Sequence, residues 1–237
     1  MKRNSDIEAI KEVAIEFLYI DIEETEFSPI VVMHPIFENG IISVQKNGQL
    51  QMLNILENED NLTLAREMYI ERIRTQKSVM GVFMVMRKSY RLTFLKYIKE
   101  YLSKEDMSEL LAFSWISSEN PNQDVNVSLK SIVKWFREAD KKVLMDEEEY
   151  KYYESLPQTI TAYRGVSIGR NPKGLSWTCN LETAKWFANR FNRNGEEGYV
   201  QSVTIDKSCV LAYFNGRNED ELVLDILSKD DIEINII

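Results

Sequence analysis

Short apolar runs dominate the last third of the chain, and they constrain the fold more than any other feature of the sequence. Five strand candidates follow Pro157, at 160–163, 199–205, 210–214, 222–226 and 232–236. Apolar runs of this length between turn residues are typical of buried strands. Parallel strands need long crossover connections, so strands this closely spaced predict an antiparallel or mixed sheet and not a doubly wound one.

One short amphipathic helix is predicted within this sheet region. Asn180 is a favourable N-cap residue, because its side chain can accept a hydrogen bond from a free backbone amide. Ala184, Phe187, Ala188 and Phe191 follow at helical spacing. We expect these four residues on the inner face of the helix.

The chain before Pro157 is rich in helix patterns and contains a small sheet. Ser5 and Glu8 are predicted to form a capping box at the start of a first helix. Further helical patterns lie at 62–74, 90–102, 103–115, 128–139 and 147–156. Residues 29–33 and 41–44 are rich in β-branched side chains and are expected to pair, with a third strand near 50–53.

Composition argues against several classes of protein. The 237 residues carry a net charge of −9, which disfavours broad binding to nucleic-acid phosphates. No apolar run approaches the ~20 residues of a membrane span, and the first residues do not resemble a signal segment. We therefore expect a cytoplasmic protein. Cys179, Cys209 and the single histidine, His34, are too scattered to predict a metal site.

Three polar motifs stand at the ends of the apolar runs. They are Tyr-Arg-Gly at 163–165, Ser-Trp-Thr at 176–178 and Glu-Asp-Glu at 219–221. Polar residues at strand ends lie where a sheet opens into a cleft, so a cation, a hydroxyl and two carboxylates are candidates to converge on one ligand. Glu219 and Glu221 are two residues apart, and in an extended chain both would face the same side.

The order of these motifs resembles the arginine–serine–glutamate signature of the ADP-ribosyltransferases. In that family a Tyr-Arg or Leu-Arg pair ends one strand, a Ser-x-Ser or Ser-x-Thr ends a second, and a Glu-x-Glu or Gln-x-Glu precedes a third. The resemblance covers about the last third of the chain. It implies an α+β fold in which a split β-sandwich of short strands is flanked by helices. Here a helix-rich N-terminal region with a small β-hairpin or sheet would precede it.

The resemblance also suggests a division into two domains. In the family several helices precede the arginine strand and pack on the sheet, which favours an early boundary. We expect an N-terminal region at 1–88, a possible target-recognition module, and a catalytic domain at 89–237.

The same resemblance assigns the catalytic chemistry to three residues. Glu221 would stabilise the oxocarbenium-like ribose that forms as nicotinamide leaves NAD+, since that charge develops only in the transition state. Glu219 would orient the acceptor, and the Glu-x-Glu form favours an arginine side chain as that acceptor. The Ser176 hydroxyl would orient Glu221.

NAD+ binding is assigned to residues of the first two motifs. Arg164 would bind phosphate or ribose oxygens with its fork of donors, and Gly165 would let the backbone approach nicotinamide. Tyr163 and Thr178 flank the same site, although Thr178 also suits a role in supporting its strand. Trp177 is expected on the opposite face, in the core.

An aromatic side chain that stacks on nicotinamide is also implied. In the family the loop after the helix carries this residue and often an arginine for phosphate, so Phe187, Phe191 and Arg193 are candidates. Helical spacing places the two phenylalanines first of all in the core. Tyr213 and Phe214, taken to lie in the loop before the glutamates, are alternatives that could gate access of the acceptor.

The resemblance therefore implies a mono-ADP-ribosyltransferase that modifies a protein target, with NAD+ as substrate and no metal. Proteins of this kind include bacterial toxins and phage-encoded effectors, which would act inside the producing or infected cell. Two alternatives stay open. One is an NAD+ glycohydrolase, in which water is the acceptor. The other is a non-catalytic protein that keeps the fold and inhibits a partner by contact.

Overall fold

The chain forms a mixed α+β structure with antiparallel sheets. The computed structural model describes residues 4–46, 49–192, 196–216, 218–228 and 232–237. Two compact units are present, Met1–Asp106 and Met107–Ile237, so the division lies later in the chain than the boundary expected after residue 88. In the part of the chain that the structure describes, no helix has the length and apolar character needed to cross a bilayer.

The N-terminal unit combines helices with two small antiparallel ladders. The helices are α1 (Ile7–Glu16), α2 (Glu59–Arg74), α3 (Val79–Phe83), α4 (Arg91–Ile98) and the start of α5 (Lys104–Ser117). The strands are β1 (Glu23–Glu24), β2 (Val32–Met33), β3 (Ile41–Lys46) and β4 (Gln49–Asn54). Strand β1 pairs with β2, and β3 pairs with β4.

The predicted pairing of 29–33 with 41–44 is wrong. Strand β3 pairs over its whole length with β4, from Ile41 opposite Asn54 to Lys46 opposite Gln49. Only two residues separate these strands, and closing so short a loop costs less chain entropy than pairing with a more distant segment. Asn47 and Gly48, between the two strands in sequence, lie outside the described residues.

The first helix is capped by a different residue from the one expected. Asp6 is the N-cap of α1, and its carboxylate accepts from the Ala9 amide at 3.2 Å. Ser5 has another role, because its hydroxyl accepts from the Ser103 amide at 2.7 Å and donates to the carboxylate of Asp106. The serine therefore ties the N-terminal segment to the start of α5.

Aromatic side chains fill the core of the N-terminal unit. The ring of Phe94 on α4 meets Phe17 edge-on at 5.2 Å and Phe83 at 5.7 Å. Ile10 and Ala14 on α1 are fully buried. The helices of this unit are thus held by burial of an apolar stripe.

His34 is fully buried in the N-terminal unit. Its Nδ1 accepts from the amides of Ile36 and Phe37, at 3.1 and 2.9 Å. Burial and, to a smaller extent, the positive charge of Arg66 together lower the pKa of His34 to about 4. A protonated ring would lose both amide contacts, since Nδ1 would then be a donor.

This lowered pKa predicts a pH-dependent stability. The unfolded chain has a histidine pKa of about 6.5 and binds a proton that the folded chain rejects, so stability rises with pH between about 4 and 6.5. Between pH 7 and pH 5 we expect wild type to lose ~2 kcal/mol relative to His34→Asn, whose amide oxygen can still accept from Ile36 and Phe37. Denaturant unfolding at both pH values measures it. Parallel pH dependence of the two proteins would contradict it.

The C-terminal unit carries the larger sheet. Its helices are the rest of α5, α6 (Leu129–Glu138), α7 (Lys141–Leu144), α8 (Glu147–Ser155) and α9 (Leu181–Asn189). Its strands are β5 (Thr159–Val166), β6 (Ser176–Thr178), β7 (Tyr199–Asp206), β8 (Val210–Phe214), β9 (Glu221–Leu224) and β10 (Ile234–Ile236). They form one antiparallel sheet in the order β10-β7-β5-β6-β9-β8, which confirms the expected sheet type.

This sheet is narrowly joined at its centre. Strands β5 and β7 are paired from Thr159 opposite Asp206 to Val166 opposite Tyr199. Strands β5 and β6 share only one pair, Tyr163 opposite Thr178. The sheet therefore consists of two three-stranded halves, β10-β7-β5 and β6-β9-β8, with a junction one residue pair wide.

Helix α9 packs directly on β5 at Gly165. A Cβ atom there would lie 2.1 Å from the Ala184 carbonyl oxygen and 2.4 Å from the Ala188 nitrogen, so the close approach of the helix requires glycine. Asn180 caps α9, and Ala184 and Ala188 lie on its buried face, both as predicted. The placement of Phe191 on that face is wrong, because the helix ends at Asn189 and Phe191 is 37% exposed.

Candidate functional site

The strand register brings the serine and glutamate motifs together beside the junction. Ser176 lies opposite Val223, and Thr178 lies opposite Glu221. Alternate residues of a strand share a face, so Ser176, Thr178 and Glu221 are on one side of this half of the sheet. Trp177 takes the other side and is buried in the core, as expected.

The carboxylate of Glu221 is oriented by a tryptophan. Its Oε1 accepts from the indole Nε1 of Trp115 at 3.0 Å. Trp115 belongs to α5 and is fully buried, whereas Glu221 is half-buried. No signal in the sequence pairs this tryptophan with a residue 106 positions away.

Ser176 is held by an asparagine that the sequence motifs do not include. The Ser176 hydroxyl accepts from Asn122 Nδ2 at 2.9 Å, and Asn122 Oδ1 accepts from the Leu175 amide at 2.6 Å. Asn122 is buried within a single 3₁₀ turn, Pro121–Gln123. Orientation of Glu221 by Ser176 itself stays a prediction.

The guanidinium of Arg164 is buried and bound to backbone. Its Nη1 donates to the Ser176 carbonyl at 2.6 Å, and its Nη2 donates to the Asn171 carbonyl at 2.9 Å. Gly174 makes room for it, because a Cβ at that position would lie 2.1 Å from Nη2. Arg164 therefore holds the segment that enters β6.

The Arg164 guanidinium also interacts electrostatically with the carboxylate of Glu221 on β9. Along β5 the Arg164 side chain leaves on the side opposite to Tyr163, which shares a row with Thr178 and Glu221. Burial lowers the pKa of Arg164 to about 10, and the negative charge of Glu221 opposes that shift. The structure shows a positioning role for this cation, and direct contact with NAD+ stays a prediction.

We predict that Arg164→Gln lowers the free energy of unfolding by about 3 kcal/mol, because it removes two charge-assisted hydrogen bonds to backbone carbonyls. Urea unfolding of the full chain measures this change. The matched control is Arg170→Gln, at a half-buried arginine on the loop after β5, for which we expect a change within about 0.5 kcal/mol. An Arg164 variant as stable as this control would show that the two carbonyl contacts contribute little.

Gly165, Tyr163 and Thr178 all make structural contacts with helix α9 or with the residue that caps it. Gly165 and Tyr163 lie against α9, where Tyr163 packs on a small cluster of Ala184, Ala188 and Val200. Thr178 is buried, and its hydroxyl accepts from the Asn180 amide at 3.1 Å, at the start of α9. A role in NAD+ binding stays a prediction for all three motif residues.

A cavity of about 640 Å³ opens beside this site. It is lined by Asn120, Gln123, Ile168, Gly169, Arg170, Phe191 and Glu196. Asn120 and Gln123 flank Asn122, and Gln123 Nε2 donates to the Gly169 carbonyl at 3.3 Å. One turn of the chain thus contacts Ser176 and also lines the cavity.

Phe191 is the aromatic candidate that reaches this cavity. The guanidinium carbon of Arg170 lies 5.0 Å from its ring centroid, and that of Arg190 lies 5.2 Å from it, both within cation–π range. Phe187 is half-buried instead, with its Cβ 2.8 Å from where a side chain at Gly165 would begin. Arg193 lies outside the described residues.

The segment before β9 is not extended. Asn218 and Asp220 have positive φ angles, 55° and 47°, and β9 begins only at Glu221. The expectation that Glu219 and Glu221 face the same side assumed an extended chain, so it does not hold across Asp220. Glu219 is half-buried, and its role toward an acceptor stays a prediction.

Tyr213 and Phe214 do not belong to this loop. Both lie in β8 and are 5% and 3% exposed, so the suggestion that they gate access from a loop is wrong. The Tyr213 hydroxyl donates to Asp220 at 2.8 Å, and burial together with this hydrogen bond raises the pKa of Tyr213. The tyrosine thus supports the loop from the strand.

Comparison with known proteins does not place the chain in a family, since no family model, curated protein or solved structure matches it. Among the described residues, no group of three or more His, Cys, Asp or Glu side chains could hold a metal ion.

Proposed function

We propose that the C-terminal unit binds NAD+ and is a mono-ADP-ribosyltransferase, of the kind found among toxins and phage effectors. One observation carries the proposal: Ser176, Thr178 and Glu221 share a face beside the junction of the split sheet, and Arg164 holds the segment entering β6. The serine and glutamate motifs thereby meet on one face, while Arg164 leaves β5 on the other side and contacts the serine motif through its backbone carbonyl. The narrow junction also fits the split sandwich implied by the resemblance.

The arrangement suits cleavage of the bond between nicotinamide and ribose. Nicotinamide leaves with the bonding electrons and becomes neutral, and the positive charge passes to the ribose. A half-buried carboxylate such as Glu221 stabilises that charge more than a solvated one, because water screens it less. The acceptor then attacks the anomeric carbon, and its proton passes to water or, in a transferase, to Glu219.

The cavity beside the site suits part of a dinucleotide. Its volume of about 640 Å³ lies within the roughly 300–1,000 Å³ usual for ligand pockets. Arg170 offers a cation for phosphate oxygens, and Phe191 offers a ring face. Glu196 would repel phosphate and suits hydroxyl groups or the cationic nicotinamide ring. Recognition of a protein target is proposed for the N-terminal unit.

The glycohydrolase alternative gains support from the loop geometry. Because Asp220 is left-handed, nothing in the backbone brings Glu219 to the side of Glu221. Water would then be a sufficient acceptor. A contact inhibitor would differ from both enzymes by releasing no nicotinamide.

We predict that Glu221→Gln lowers the rate of nicotinamide release by ~10²–10³, because it removes the charge that faces the developing cation. Release from NAD+ is measured together with labelling of lysate proteins by labelled NAD+. Both readouts should fall together. Glu154→Gln, at an exposed glutamate on α8, is the matched control and should leave both unchanged.

The variant Glu219→Gln distinguishes a transferase from a glycohydrolase. A transferase in which Glu219 handles the acceptor would keep nicotinamide release and lose protein labelling. In a glycohydrolase, Glu219→Gln would leave nicotinamide release nearly unchanged. The wild-type glycohydrolase would label no protein. No nicotinamide release from wild type under any of these conditions would contradict the enzymatic proposal.

We also predict that Arg170→Gln weakens NAD+ binding by about 10- to 100-fold, the usual size of one charge-assisted contact. Calorimetric titration of the full chain with NAD+ measures it. Lys173→Gln removes an exposed cation three residues away, outside the cavity lining, and should bind NAD+ as wild type does. Equal dissociation constants for the two variants would place the phosphates elsewhere.

A further inference from the structure

We infer that Trp115 is a positioning residue that fixes the Glu221 carboxylate for the reaction. The hydrogen bond stands on the structure alone, while its catalytic consequence rests on the proposed function. None of the sequence motifs includes this tryptophan. It would take over the orienting role that the resemblance gives to Ser176.

The indole is locked in place by aromatic packing. Trp115 meets Phe136 of α6 edge-on, with ring centroids 5.4 Å apart, and both residues are fully buried. Phe136 in turn lies 6.4 Å from Phe214, which is directly opposite Glu221 in the sheet. Trp115, Phe136 and Phe214 thus pack in series, and the last of them lies on β8, next to the strand that carries Glu221.

The chemistry of the donor matters as much as its position. An indole N–H can only donate, so it suits a carboxylate oxygen and fixes the rotation of the carboxyl group. It is neutral, and therefore leaves the negative charge of Glu221 in place for the ribose cation. The nearest cation discussed for this site, Arg164, has its two terminal nitrogens on backbone carbonyls instead.

Ser176 and Glu221 are held by two different residues, Asn122 and Trp115. The Ser176 hydroxyl accepts from Asn122, which also accepts from the Leu175 amide. Asn122 thereby fixes the start of β6, while Trp115 fixes the carboxylate on β9. Both come from one continuous stretch, the end of α5 and the 3₁₀ turn that follows it.

Indole N–H resonances test the contact without any activity. The chain has four tryptophans, and Trp115→Phe identifies the Trp115 signal by its loss. In Glu221→Gln the Trp115 indole proton should move upfield, because a hydrogen bond to an amide oxygen is weaker than one to a carboxylate. The other three indole signals should stay in place. An unmoved Trp115 signal would overturn the inference, and this test keeps Trp115 itself intact.

Steady-state kinetics test the consequence. Trp115→Phe keeps an aromatic ring and removes the donor, so kcat for nicotinamide release should fall about 10- to 100-fold with little change in KM for NAD+. Trp135→Phe removes a buried indole of α6 and is the matched control, expected to retain wild-type kcat. Unfolding curves of the two variants show whether any loss is one of stability.

The two proposals fail in different ways. If wild type releases no nicotinamide, the proposed function fails, and the indole resonance still reports the Trp115–Glu221 contact. If wild type is active and Trp115→Phe, folded, keeps full kcat, the positioning role is wrong while the proposed function stands. A fall in kcat shared equally by Trp135→Phe would also overturn the role of Trp115.

Discussion

A single buried guanidinium does much to connect the halves of the C-terminal sheet. Strands β5 and β6 share one residue pair, which is too little backbone pairing to fix their relative position. Arg164 leaves β5 and donates to the carbonyls of Ser176 and Asn171, on the segment that leads into β6. Such charge-assisted contacts are stronger than neutral ones, and burial shields them from water. The junction therefore depends on a side chain more than on the ladder.

Ser176 and Glu221, beside this junction, receive hydrogen bonds from residues outside the sheet. Asn122 supplies a donor to Ser176 and an acceptor to the Leu175 amide, and Trp115 supplies a donor to Glu221. A buried polar group without a partner costs about 1–3 kcal/mol, so these contacts are needed if the site is to stay half-buried. The structure thus keeps an open junction by surrounding it with directed hydrogen bonds.

Local patterns predicted the elements well and their partners poorly. The antiparallel sheet, the Asn180 cap and the buried Ala184 and Ala188 follow from period and turn chemistry over a few residues. The pairing of β3 with β4, the Ser5–Asp106 contact and the hydrogen bond from Trp115 to Glu221 depend on which distant segments meet. The spacing of residues within one segment does not show which distant segments contact each other. The same limit applied to Glu219, where one left-handed residue reversed an inference based on an extended chain.

The loop before Glu221 shows how tertiary contacts hold a conformation that the local chain disfavours. Asn218 and Asp220 are left-handed, which costs roughly 1 kcal/mol for each even at Asn and Asp, the residues that tolerate it best. The buried Glu149 of α8 accepts from the Asn215 amide at 2.7 Å, and the Asn215 side chain accepts from the Asp220 amide at 3.2 Å. The Tyr213 hydroxyl adds a bond to the Asp220 carboxylate. These contacts outweigh the strain, so the direction in which the chain enters β9, and with it the carboxylate of Glu221, is set by α8 and β8 and not by the motif itself.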